Sequence, residues 1–378
     1  MTSPGNSDIG ELTELDEWPR HQLPRPFDVV GSDSPHWSDG YYFTVSDGTV
    51  SLFTAIRLHP NNDVLDGYAC AGVDGAQHNL RWSRRLRPRI DDLSVGPLSV
   101  AIERPLRVVR TRCGSNEFGI AYDLTWTGLH EPYLEKFVER YSAGRLTAQR
   151  CNYGQCCAVD GWIEVADRRF TVADWAGARD HSWGIGRTGG PRAPSAAPQP
   201  EPRTFAERQW AMLRFPDRSV FWQLHTNDDG EFTMFESRVF GRDGEAWSYT
   251  RARELTLSLV PGHRRMREGT LVLERPDGGL DRFRFEPAGT PVYLQGGGYW
   301  QGFDDGLGRG VYRGDDHGEG EVWDVSLPDE VHDPKDLFRA RPDAWAESFA
   351  AVENIDDPAD RGFGHLECVI AGDHPDLH

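Results

Sequence analysis

The chain is almost without lysine and has no long apolar run. Lys136 and Lys335 are the only lysines among its 41 basic residues. Against 60 acidic residues this leaves a net charge of −19, which repels phosphates and anionic lipid, so no nucleic-acid partner is expected. No stretch of about 18 apolar residues is present, and residues 1–20 lack the apolar core of a secretory signal. We therefore expect a cytoplasmic protein without a membrane span.

The six cysteines lack the CxxC spacing that is typical of zinc sites. Cys156 and Cys157 are adjacent, so on a strand their side chains would point to opposite faces of the sheet. No spacing of His and Asp residues resembles a metal site either. We expect buried free thiols, and neither a metal nor a redox cofactor.

What the sequence does contain is a repeated hairpin pattern, in which 41 glycines and 25 prolines separate short apolar runs. Residues 41–45 and 50–58 flank Asp47-Gly48, a dipeptide that tolerates the positive φ of a tight turn. Three further pairs of runs repeat the pattern: 158–165 with 170–175, 220–225 with 232–239, and 271–274 with 283–285. The pattern predicts an all-β protein of antiparallel strands.

Apolar residues with helical spacing occur at only two places. The first comprises Leu134, Phe137, Val138 and Tyr141, and the second comprises Trp345, Phe349 and Val352 after Pro342. Proline suits the first turn of a helix, and both sets recur every three or four residues. The spacing therefore predicts a few short helices.

A segment rich in glycine and proline divides the chain. Residues 188–203 contain seven of these residues and no apolar periodicity, so the segment cannot pack a core. We predict an N-terminal arm over 1–30, a first β domain over 31–187, a linker or loop over 188–206, and a second β domain over 207–378. No fixed repeat of 20 to 50 residues occurs, which argues against propellers and solenoids.

Residues 177–187 read GARDHSWGIGR, and they bring together an acid, an imidazole, two guanidinium groups and an indole. Asp180 beside His181 is a candidate acid/base pair, because a carboxyl in an apolar cavity has a raised pKa and can donate a proton. Trp183 offers a π face to a developing cation. On a strand, however, Asp180 would face away from His181 and Trp183. Arg179 and Asp180 would then belong to a buried ion-pair network, and Trp183 would plug the end of a barrel.

This segment resembles the G-x-R-D-H-S-W-G signature of the family that contains bacterial carotenoid 1,2-hydratases, AttH-like proteins and lipocalin-like Diels-Alderases. Further stretches fit the same family: Tyr41-Tyr42-Phe43, Ile56-Arg57-Leu58-His59-Pro60-Asn61, Asn152-Tyr153-Gly154-Gln155 and Gly262-His263-Arg264-Arg265. The resemblance covers most of residues 35–325. It implies two lipocalin-like antiparallel β barrels or sandwiches with a hydrophobic pocket at their interface.

The resemblance also implies chemistry without a cofactor on a hydrophobic isoprenoid- or polyketide-like molecule, either alkene hydration through a captured cation or cyclisation. Such an enzyme would be a lyase or an isomerase, and the alternative is a non-catalytic carrier. The hydratase-like His and Trp fall on His181 and Trp183, whereas a further acidic residue of the hydratases has no secure counterpart here. The candidate catalytic residues are Asp180, His181 and Trp183.

The candidate substrate-binding residues are mainly aromatic. They are Arg179, Gln155, Trp175, Trp222, His225, Tyr299 and Trp300. Aromatic residues of a β barrel also serve as core, and Gln155 is equally compatible with an exposed strand start. The sequence leaves a homodimer open.

Overall fold

The computed structural model describes residues 12–19, 32–142, 145–186, 205–326 and 346–378. Strands make up 64% of these residues, well above the ~20–25% of typical soluble domains. The strands form two curled antiparallel sheets, which confirms the predicted all-β fold. No helix in the described ranges is long and apolar enough to cross a membrane.

The first sheet contains 13 strands within the described residues. They are β1 (Trp37–Ser46), β2 (Val50–His59), β3 (Val64–Val73), β4 (Ala76–Arg85), β5 (Ser94–Val95), β6 (Leu98–Arg104), β7 (Val108–Cys113), β8 (Ile120–Gly128), β9 (Tyr133–Leu134), β10 (Val138–Ser142), β11 (Arg145–Val165), β12 (Arg168–Ile185) and β20 (His317–Asp324). Their order is β20-β4-β3-β2-β1-β12-β11-β8-β7-β6-β5, and β9 and β10 pair with β11. A strand from late in the chain therefore forms one edge of the first sheet.

The second sheet contains nine strands in the described part of the chain. They are β13 (Glu207–Arg214), β14 (Arg218–Thr226), β15 (Phe232–Gly241), β16 (Ala246–Trp247), β17 (Arg251–Leu259), β18 (Met266–Glu274), β19 (Leu280–Tyr293), β21 (Ala346–Asn354) and β22 (Asp357–Ile370). Their order is β16-β15-β14-β13-β22-β21-β19-β18-β17. Short 3₁₀ turns occur at Glu14–Glu17, Leu294–Gly297 and Pro375–Leu377.

All four predicted hairpins are confirmed. β1 pairs with β2, β11 with β12, β14 with β15, and β18 with β19. In the first turn Gly48 has a φ of 89°, a conformation that glycine adopts without strain, and its N–H donates to the Ser46 hydroxyl at 2.9 Å. Local turn chemistry thus sets these four registers.

Both predicted helices are wrong. Leu134 lies in β9, Val138 and Tyr141 lie in β10, and Phe349 and Val352 lie in β21. β21 pairs with β19 on one side and β22 on the other, so its backbone is bonded to neighbouring strands. Apolar residues that recur every three or four positions predicted a helix here, but hydrogen bonds between neighbouring strands hold the backbone extended.

Some predicted features lie outside the described residues. Pro342 and Trp345 of the second helical pattern are among them, and so is Arg187 at the end of the chemically rich segment. Residues 188–204 of the predicted linker also lie outside.

The two faces of the first sheet have different partners. Its inner face carries Tyr41 and Cys157 and curls around the first hydrophobic core. Its outer face packs against the second sheet, where Cys156 contacts Met212 with a sulfur–sulfur distance of 3.8 Å. We call the side chains between the two sheets the intersheet layer, which includes Tyr42, Phe53, Tyr68, Trp210, Met212 and Phe349. The adjacent cysteines therefore face opposite ways as predicted, and all six are free.

Candidate functional site

β12 carries the candidate catalytic residues and lies between β1 and β11. In the β1–β12 register Tyr41 is opposite His181 and Tyr42 is opposite Asp180. Residues that are opposite each other in antiparallel strands share a face. His181 therefore lies on the inner face, and Asp180 lies in the intersheet layer. The two side chains therefore point to opposite faces of β12, the orientation that strand alternation predicts.

His181 belongs to a hydrogen-bond network on the inner face. Its Nε2 is 2.7 Å from a carboxylate oxygen of Asp39, and its Nδ1 is 3.2 Å from the Tyr153 hydroxyl. That hydroxyl donates in turn to Glu17 at 2.8 Å. His181 is buried, and protein groups bond both of its ring nitrogens.

Arg179 joins the same network through a buried ion pair with Glu17. Its Nη1 lies 2.8 and 2.9 Å from the two carboxylate oxygens of Glu17, and its Nε donates to Gln155 at 2.6 Å. Burial acts to raise the pKa of Glu17, but Arg179 and His181 outweigh that effect and hold it below its usual value. The segment 12–19 is thus anchored on the inner face by charge.

Trp183 packs beside this network in a small hydrophobic cluster. The cluster includes Trp37, Cys151 and Tyr153, and the rings of Tyr153 and Trp183 meet edge to face at 6.4 Å. This placement matches the alternative in which Trp183 fills one end of the barrel.

The intersheet layer brings Asp180 close to two buried glutamates. Glu135, just after β9, accepts a hydrogen bond from the Trp210 indole N–H at 2.9 Å. With its amide oriented to satisfy its neighbours, Gln223 donates to Glu135 at 2.9 Å and to Glu236 at 3.1 Å. Glu135 and Glu236 are 2% and 6% exposed, whereas Asp180 keeps a larger accessible part. These three carboxyl groups form the carboxyl cluster.

Within the carboxyl cluster, Glu135 retains its proton at neutral pH. Burial, and next the charges of Glu236 and Asp180, raise the pKa of Glu135 to about 8. Burial also raises the pKa of Asp180 and that of Glu236. With a pKa of about 8, Glu135 is mostly neutral near pH 7 and holds a proton that it can donate.

Arginines surround the carboxyl cluster, so the layer near Asp180 is more polar than the expected hydrophobic pocket. The Arg57 guanidinium donates to Ser182 at 2.7 Å and to Ser38 at 3.0 Å. Its charge and that of Arg150 oppose the effect of burial on the pKa of Asp180. Burial lowers the pKa of Arg208, which pairs with Glu367, to about 10.

Three of the predicted substrate contacts, Trp175, Trp222 and Gln155, lie away from the intersheet layer. Trp175 packs against the first core, and Trp222 lies fully buried in the second core, where its indole N–H donates to Gln209 at 3.1 Å. Gln155 is enclosed on the inner face, and its amide also donates to the Leu106 carbonyl at 3.1 Å. Trp222 and Gln155 are enclosed by protein, whereas Trp175 is partly buried.

The remaining three predicted contacts lie on the side of the intersheet layer, and they are His225, Tyr299 and Trp300. His225 shares a face with Gln223 by strand alternation, and its ring lies 5.0 Å from that of Phe205. Tyr299 lies 5.9 Å from Tyr68 between ring centroids, and Trp300 packs next to it.

The sequence interpretation missed Glu135 and Glu236. The register of the predicted β14–β15 hairpin places Gln223 opposite Glu236, so this polar pair could have been found from the hairpin. Glu135 had no comparable signal, because its neighbours Trp210 and Gln223 are distant in the chain.

A family model described as a family of unknown function, DUF8625, matches residues 12–374. A search of curated proteins found no match. Among solved structures, kievitone hydratase from Nectria haematococca matches with a TM-score of 0.51 and 12% identity, over 98% of this chain and 96% of that chain. A putative AttH from Nitrosomonas europaea matches with a TM-score of 0.53 and 11% identity, over 93% and 98%. Similarity at this level shows a shared fold.

Proposed function

We propose that this chain, which belongs to the family of unknown function DUF8625, is an enzyme that protonates an alkene of a hydrophobic small molecule. The substrate class is isoprenoid- or polyketide-like, and the outcome is hydration or cyclisation without a redox cofactor. One observation carries the proposal: the buried Glu135, whose pKa is raised to about 8, interacts with the charge of Asp180, whose pKa burial also raises. The fold shared with a kievitone hydratase supports it.

Asp180 is the proton donor, because it retains more accessible surface than the enclosed Glu135. Protonation of the alkene forms a carbocation, which water or another part of the substrate then captures. Glu135 keeps the pair protonated, since two neighbouring carboxyl groups resist losing both protons. The Trp210 N–H and the Gln223 amide donate to Glu135 and so fix its position in the intersheet layer.

The network of His181, Arg179 and Glu17 positions β12 from the opposite face. Its hydrogen bonds fix the strand on which Asp180 stands, and Trp183 packs beside them. In this proposal His181 and Trp183 act through the strand instead of touching the substrate.

The test incubates the purified protein in D₂O with a panel of isoprenoid and polyketide alkenes. Mass spectrometry then measures deuterium in the recovered alkene and mass gained by water addition. Deuterium incorporation should be lost in Asp180→Asn and Glu135→Gln and kept in Glu117→Gln, which alters an exposed carboxyl. Ligand binding without deuterium incorporation by the unmodified protein would instead favour the carrier function.

A further inference from the structure

Glu347 and His365 form a second buried acid/imidazole pair, on the second-sheet side of the intersheet layer. A carboxylate oxygen of Glu347 lies 2.5 Å from Nε2 of His365. Each of the two residues is 1% exposed, and they come from the paired strands β21 and β22. The pair therefore places a carboxyl group and an imidazole side by side in the protein interior.

The second ring nitrogen of His365 is open. A carboxylate can only accept hydrogen bonds, so Nε2 carries the hydrogen and Nδ1 keeps its lone pair. Nδ1 is buried, and no described residue forms a hydrogen bond with it. His181 differs, because both of its nitrogens have protein partners. Buried polar atoms without a partner are uncommon in folded proteins and indicate a site for a ligand or water.

The imidazole shares neighbours with the carboxyl cluster. Its ring centroid lies 5.3 Å from that of Trp210, whose N–H bonds Glu135, and 6.0 Å from that of Tyr42, the cross-strand partner of Asp180. The Tyr42 hydroxyl is likewise buried with no hydrogen-bond partner in the described ranges. His365 therefore lies against Trp210, which bonds Glu135, and against Tyr42, which is opposite Asp180 in the first sheet.

We infer that His365 is the base of the site, and that its Nδ1 takes a proton from the water that attacks the carbocation. The inference rests on the proposed function and assigns hydration as its outcome. Asp180 gives its proton to one alkene carbon, and the π electrons form the new C–H bond. A lone pair of water then forms the C–O bond at the other carbon while the water proton passes to Nδ1.

The Glu347 carboxylate stabilises the resulting imidazolium. Return of that proton through solvent to Asp180 restores both groups, so the net reaction adds one water and needs neither oxidant nor reductant. This order of events separates two measurable steps. Alkene protonation depends on Asp180, whereas water addition depends on both Asp180 and His365.

The experiment measures the two steps for each variant in D₂O. In His365→Gln, water addition should fall about 10²-fold or more, while deuterium still enters the recovered alkene because the cation can lose a proton again. Glu347→Gln should also slow water addition. His378→Gln, which alters an exposed histidine, should react like the unmodified protein. Water addition at the full rate in His365→Gln would overturn the assignment, as would joint loss of both steps in a folded variant.

A second measurement keeps the inference testable if the unmodified protein transforms no alkene or if His365→Gln does not fold. Nitrogen NMR of ¹⁵N-histidine protein should show His365 in the Nε2–H tautomer, which leaves the lone pair of Nδ1 free to accept a proton. A folded protein with His365 in the Nδ1–H tautomer would refute the pair as a base, whereas absent turnover alone would count only against the proposed function.

Discussion

Asp180 and His181 are consecutive in the chain, yet they belong to different chemical environments on the two faces of β12. The carboxyl of Asp180 lies near Arg57, Arg150 and Glu135 between the sheets. The imidazole of His181 is bonded to Asp39 and stacks on Tyr41 with ring centroids 4.2 Å apart. Substitutions at these neighbouring positions should therefore change different properties of the protein.

Asp180→Asn keeps the shape of the side chain and removes the acid. We expect turnover to fall about 10²- to 10⁴-fold, the usual contribution of a general acid, with ligand affinity and melting temperature nearly unchanged. His181→Ala should instead lower the melting temperature, because it removes the hydrogen bond between His181 and the buried Asp39. Turnover and thermal unfolding measured on both variants distinguish these effects. An Asp180→Asn protein that melts several degrees lower but reacts normally would show a structural role and favour the carrier function.

The raised pKa of Glu135 predicts how stability depends on pH. The folded state holds this proton up to a pKa of about 8, whereas the unfolded chain releases it near the ordinary value of 4.5. Between these values the folded state binds more protons, so stability falls as pH rises, by at most about 1.4 kcal/mol per pH unit for one group. Urea unfolding from pH 5 to pH 9 measures this slope. Glu135→Gln should flatten it, and an unchanged slope would contradict the shifted pKa.

The ion pair between Glu17 and Arg179 should be important for stability. Glu17→Gln leaves the Arg179 charge buried without its counter-ion, which typically costs about 3–5 kcal/mol. Asp356→Asn removes an ion pair to Arg282 whose partners are 52% and 43% exposed, and it should cost under about 1 kcal/mol. Denaturant unfolding of both variants gives the comparison. Equal losses would mean that the segment 12–19 is not anchored through Glu17.

Arg81 should hold β20 against β4. Its guanidinium is fully buried and bonds Glu319 at 2.9 Å, Glu321 at 2.7 Å and the Gly296 carbonyl at 3.1 Å. Arg81→Met should destabilise the protein by about 3–5 kcal/mol, because it removes the guanidinium that neutralises the charges of Glu319 and Glu321. Hydrogen exchange should also become faster in β20. Arg85→Met, at an exposed pair with Asp315, serves as the control and should leave the exchange of β20 unchanged.

Features fixed by neighbours in sequence were predictable here. The turn at Gly48 and the opposite orientations of Cys156 and Cys157 follow from turn chemistry and strand alternation. The apolar spacing around Phe349 and Val352 was misleading, because a strand buried on both faces satisfies it as well as a helix does.

Features fixed by distant residues were not predictable. The pairing of β20 with β4 joins segments more than 200 residues apart, and no local pattern marks it. The contacts of Glu135 with Trp210, and those of Glu347 with His365 near Tyr42, likewise require the two sheets to be assembled. For the same reason the sequence located Asp180 but neither the neutral carboxyl beside it nor the imidazole across the layer.

The strand orders have a consequence for synthesis on the ribosome. The edge strand β20 is made after β19. β22, which lies between β13 and β21 in the middle of the second sheet, is the last strand among the described residues. The first sheet is incomplete until residue 324 has emerged from the ribosome, and the second until residue 370, so strands made earlier have unpaired edges until then. We expect nascent chains that stop before residue 317 to need chaperone protection.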